Sequence, residues 1–134
     1  MNSDLQTSSG SKTMLWIGRV ISALIVLGLT VSAVFKFVQP ADVPEEFTRL
    51  GWPVNIALAL GIVELTCAIL YAIPQTAVLG AILATGYLGG AIATHVRIEE
   101  QFVPPLVMGV LAWVGLYLRD ARLRALIPWR TNTN

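Results

Sequence analysis

Between Val54 and Arg97 the chain carries only two side chains that ionise near neutral pH, Glu64 and His95. A segment that long with so little charge cannot present a polar surface to water. Elsewhere the charges gather in short segments that separate apolar stretches at 15–38, 54–73, 77–96 and 102–118. Over the 134 residues, 55% are hydrophobic and 13% charged, whereas a soluble domain carries roughly 25% charged residues. A helix needs about 20 apolar residues, with about 17 as the lower limit, to cross the hydrocarbon core. The first three stretches reach that length and the fourth meets the limit. No period-two alternation marks strands. The expected fold is all-α: an integral membrane four-helix bundle over 15–118. A flexible polar tail is expected at 1–14 and a basic tail at 119–134.

Lys and Arg set the orientation. With four spans, both tails share a side with the turn at 74–76. That side holds Lys12, Arg19, Arg119, Arg122, Arg124 and Arg130, and the other holds Lys36, Arg49 and Arg97. Six against three places both termini in the cytoplasm. Trp16, Trp52, Trp113, Tyr117 and Trp129 fall near the predicted helix ends, where aromatic belts sit. Residues 39–53, with three prolines and Gly51, read as a loop. Arg19 followed by an apolar run and Val31-Ser32-Ala33 has the outline of a signal peptide. The apolar character continues through Val34, Phe35, Phe37 and Val38, however, and favours a span.

Helices in lipid associate where small residues let their backbones approach. In the third stretch Ala77, Ala81, Thr85, Gly89 and Ala93 recur every four residues, with Gly86 and Gly90 on an adjoining strip. Ala57 and Gly61 form a similar pair in the second stretch. These positions predict that the third stretch is the packing centre, with homodimerisation through the same face as the alternative.

Glu64 lies about ten residues into the second stretch, roughly 15 Å below the outer surface. A carboxylate at such depth costs about 2.5–3.5 kcal/mol on insertion scales and is by default a functional residue. Side chains lean toward a helix's N-terminus, so Glu64 leans outward while Lys36 and His95 lean inward from neighbouring helices. The three converge on one polar cavity, with Tyr87 and Thr94, or Thr30 and Ser32, able to bridge the remaining gap. The plainer alternative has Lys36 snorkelling, His95 near a helix end and Glu64 neutral.

The net charge of +1 argues against a nucleic-acid partner. One Cys and one His are too few for a CxxC dithiol, an iron–sulfur cluster, a zinc site or bis-histidine haem. The residues therefore point to no catalytic set, no metal site and no intrinsic cofactor.

The chain resembles the DoxX-like family of small four-span membrane proteins. The resemblance rests on Val34-Phe35-Lys36, Leu50-Gly51, Gly61-Ile62-Val63-Glu64-Leu65, the run from Gly86-Tyr87 to Thr94-His95, and Trp113-x-x-Leu116-Tyr117-Leu118-Arg119. It implies a multi-pass protein of the bacterial cytoplasmic membrane. The family name comes from a subunit associated with quinol-oxidising complexes, and no single activity covers its members. The expectation that follows is an accessory subunit, or a binder of a quinone-like ligand, beside a redox or respiratory partner protein. A small proton-coupled transporter using Glu64 and an assembly factor without ligand are the alternatives.

Overall fold

The structure is a computed structural model that describes residues 2–127, with side chains from residue 11 onward. Six helices form among them: α1 (Asn2–Val38), α2 (Asp42–Arg49), α3 (Ile56–Ala72), α4 (Ala77–Arg97), α5 (Val103–Arg119) and α6 (Ala121–Leu126). All regular structure among the described residues is helical. Two helical segments, Ser11–Val38 and Ala77–Arg97, are long and apolar enough to cross a membrane, and α3 and α5 are shorter apolar helices. At 17 residues each, the latter two span about 25 Å.

Local chemistry sets the ends. Ile73, which precedes Pro74, is extended and stops α3. Pro104 and Pro105 occupy the first turn of α5, where a missing N–H costs little. Glu99 takes a left-handed conformation after α4, and the Glu100 amide returns to the His95 carbonyl at 2.9 Å.

Three segments differ from the sequence-based expectation. The stretch 1–14, expected as a flexible tail, is helical from Asn2 onward. Extending an existing helix needs no new nucleus, so the apolar half of α1 carries its polar start along. The segment read as a loop contains α2, an amphipathic helix that buries Val43 and Phe47 against Ala57. Asp42 and Glu45 in its first turn and Arg49 in its last match the helix dipole. Gly51 follows with φ +77°, and an added Cβ there would meet the Arg97 guanidinium. Finally, the basic tail begins with α6. Asp120 accepts from the Arg122 and Leu123 amides, and Arg124 donates to the Tyr117 and Leu118 carbonyls at 2.8 and 2.9 Å. Trp129 and Arg130 lie outside the described residues.

The long helices pack in the order α1–α3–α4–α5 and back to α1. Small residues face inward: Ala33, Ala57, Ala68, Ala77, Ala81, Ala84 and Ala112 are all at most 2% exposed. Large apolar side chains such as Leu24, Leu27, Ile62, Ile82 and Val110 are more than half exposed. A protein surrounded by water would invert that arrangement, whereas lipid favours it.

The expected packing stripe on α4 needs correction. Ala81 is buried, but Thr85, Gly86, Gly89, Gly90 and Ala93 are exposed. A Cβ added at Gly86, Gly89 or Gly90 would meet nothing within 4 Å. A four-residue spacing advances about 40° per step beyond a full turn, so five such positions drift by about 160° and leave the face on which they start. The buried face follows the true helical period through Ala77, Gly80, Ala81, Ala84 and Leu88. Ala57 and Gly61 are buried as expected. The tightest approaches lie elsewhere. A Cβ on Gly18 would stand 2.8 Å from the Gly115 carbonyl oxygen. One on Gly80 would run into the backbone of Leu70 and Tyr71.

Candidate functional site

Ala57, Gly61, Glu64, Cys67, Ala68 and Tyr71 form the buried stripe of α3. Gly61 lets α1 come close enough for a Cβ at that position to stand 3.1 Å from Lys36 Cβ and 3.3 Å from the Ala33 carbonyl oxygen. Lys36 therefore lies level with Gly61, one turn from Glu64. Its stem leans toward the start of α1, as helical side chains do. The ammonium meets Glu64 Oε2 at 2.7 Å and donates to Ser32 Oγ at 2.8 Å. Glu64 is 4% exposed and Lys36 15%. Tyr87, half-buried on α4, lies near the same carboxylate, close enough for the two groups to interact electrostatically.

Of the expected polar group, the structure brings together Lys36 and Glu64, with Ser32 accepting from the ammonium and Tyr87 nearby. No bridging group is needed, because the vertical gap is one turn and not the larger separation expected with Lys36 near the outer boundary. His95 and Thr94 have other contacts. His95 Nδ1 lies 2.7 Å from the Ala91 carbonyl oxygen of its own helix. Thr94 donates to the Gly90 carbonyl at 2.9 Å and accepts weakly from Trp52. The segments at 49–51 and 97–100 are tied together by Arg97, which donates to the Leu50 carbonyl, and by the Arg49–Glu100 ion pair.

A second polar network escaped the sequence reading. The Tyr71 hydroxyl donates to the Ala112 carbonyl at 2.6 Å and lies 3.1 Å from Ser22 Oγ. Arg119 donates to the Tyr71 carbonyl at 2.9 Å, with its guanidinium 5.1 Å from the ring centroid. One signal was available: Tyr71 stands seven residues after Glu64, two turns along the same face. Trp113 donates its indole N–H to Thr85 at 2.7 Å.

Chemically, the site offers a cationic donor, a hydroxyl donor and a carboxylate acceptor between three helices. Among the described residues no group of three or more His, Cys, Asp or Glu could hold a metal ion. Small residues inside, large apolar residues outside and a buried interhelical ion pair define an all-helical membrane protein. The chain belongs to the DoxX-like family, whose model matches residues 20–115 and so includes Lys36, Glu64 and Tyr87. Neither a curated protein nor a solved structure matches it.

Proposed function

We propose that this DoxX-like protein crosses a bacterial cytoplasmic membrane four times as a four-helix bundle with both termini inside. In this reading it is an accessory subunit that binds a quinone-like ligand next to a redox partner protein. The observation that carries the reading is the Lys36–Glu64 pair at 2.7 Å, with Tyr87 beside it. A quinone head group needs donors for its carbonyls and an acceptor for its hydroxyls; Lys36 and Tyr87 supply the former and Glu64 the latter. The isoprenoid tail would remain in the apolar surroundings. Electrons would come from the partner, since one buried Cys67 and one His form no redox couple. The orientation is supported by the charge bias, which sharpens once Lys36 is engaged with Glu64.

The proton-coupled transporter is less well supported, because the carboxylate it would need for a cation already holds an ammonium. The test uses the full chain in nanodiscs, titrated with decylubiquinone and weighed by native mass spectrometry. Saturable binding that falls at least tenfold in Lys36→Met and Tyr87→Phe supports the reading. Equal binding by all three proteins overturns it, and proton-linked substrate movement abolished by Glu64→Gln would establish the transporter instead.

A further inference from the structure

A groove of about 470 Å³ opens along α1 near the ends of α3 and α5, away from the Lys36–Glu64 pair. Arg19 and Arg119 line it together with Tyr71, Val26, Leu27 and Thr30. Its polarity is graded. Arg119 is the last residue of α5, so the cationic part lies where that helix ends. Leu27 and Thr30 lie eight and eleven residues beyond Arg19 along α1, about 12 and 16 Å from it along the axis.

Neither arginine is neutralised by a carboxylate among the described residues. Arg19 rests 5.5 Å from the Trp16 ring centroid. Arg119 spends one donor on the Tyr71 carbonyl, and its buried Nε has no partner among the described residues. Two guanidinium cations on an apolar trough form a site of unbalanced charge. Arginine forks suit phosphate oxygens, singly or as a pair. Leu27 is 59% exposed, so the trough opens sideways, toward lipid.

From this geometry we infer that the groove holds an anionic glycerophospholipid, its phosphodiester between Arg19 and Arg119 and an acyl chain along Val26, Leu27 and Thr30. A zwitterionic lipid would bring its own cation to a place that already has two. A free phosphate would satisfy the arginines and leave the trough uncovered. The shared chemistry is a phosphate anion; the trough assigns it to a lipid. Basic pockets between helices near a membrane surface are suited to such headgroups. The site is separate from the proposed quinone-like site, so either can fail without the other.

The full chain is reconstituted in nanodiscs of equal phosphatidylcholine and phosphatidylglycerol, released into detergent, and the retained lipid is weighed by native mass spectrometry. Wild type should retain phosphatidylglycerol over phosphatidylcholine. Arg19→Gln should cut that preference about fivefold, the worth of one arginine near a membrane surface. Arg119→Gln also strips a donor from the Tyr71 carbonyl, so Arg19→Gln carries the test. Arg122→Gln, on α6 and outside the groove, should leave the preference unchanged. Equal retention of both lipids by wild type overturns the proposal, as does an equal loss in Arg19→Gln and Arg122→Gln. Thermal protection by inorganic phosphate that matches protection by phosphatidylglycerol would show a free-anion site and equally overturn it.

Discussion

Replacing Lys36 by Met removes the ammonium and keeps most of the stem that lies against Gly61. Glu64 then remains 4% exposed, with its counter-charge gone. Breaking a buried ion pair from one side costs about 3–5 kcal/mol in protein interiors. Polar couplings inside membranes are smaller, about 0.6 and at most about 1.7 kcal/mol. Lys36→Met should therefore destabilise the protein by about 3 kcal/mol, near the lower end of the first range. Glu64→Gln should be milder, about 1–2 kcal/mol, for two reasons. Gln keeps a carbonyl oxygen for the ammonium, and Lys36, 15% exposed, is the partner with a way out. The double variant should cost less than the sum of the single ones by about 1–2 kcal/mol. Reversible unfolding by SDS in mixed micelles, followed by the fluorescence of the four tryptophans, measures all three. Additivity within about 0.3 kcal/mol, or a Glu64→Gln protein weaker than Lys36→Met, would refute the pairing.

The same assay separates the two kinds of glycine on α4. Gly80→Ala should cost about 1–3 kcal/mol, because the new methyl meets backbone that cannot yield, whereas Gly89→Leu should stay within about 0.5 kcal/mol of wild type; the reverse order would put the packing face on the wrong side of α4. Tyr71→Phe should cost about 1–2 kcal/mol through loss of its bonds to Ser22 and Ala112, and adding Ser22→Ala to it should change little; a fully additive pair would show that the hydroxyls are not coupled. For topology, in a Cys67→Ala background a cysteine at Glu45 should react with an impermeant thiol reagent on intact cells and one at Arg122 should not. Labelling at Arg122 alone would invert the proposed orientation.

What was legible in the sequence was legible for identifiable reasons. Long apolar stretches broken by prolines report helices almost directly, and the boundaries of α3 to α5 shifted by only one or two residues. The meeting of Lys36 with Glu64 followed from the way side chains lean along a helix. Its closeness did not, because the height of α1 against α3 depends on how far two backbones approach at Gly61, a tertiary quantity. His95 was placed by the same leaning rule, yet a carbonyl of its own helix lay nearer than any partner. The glycines of α4 misled because an exact four-residue repeat is not the period of an α-helix. Tyr71, Ser22 and Arg119 each look ordinary alone; only the packing of α5 on α1 and α3 brings them together. α2 was hidden by its length, eight residues being too few for periodicity to stand out against prolines and charges.

The closing of α5 onto α1 imposes a chronology on synthesis. About 80 residues separate the end of α1 from the end of α5, so a ribosome making roughly 5–20 residues per second needs about 4–16 s to supply the missing neighbour. Late in that interval α3 and α4 are complete and can already dock, but Gly18 and Ser22 still face lipid where Gly115 will later sit. The Tyr71 hydroxyl likewise waits for the Ala112 carbonyl. A chain stopped before α5 is thus more than one helix short: it leaves a hydroxyl pair without its acceptor within the membrane. Such an exposed polar mark is a physical difference by which an insertion or degradation machinery can tell an unfinished molecule from a finished one.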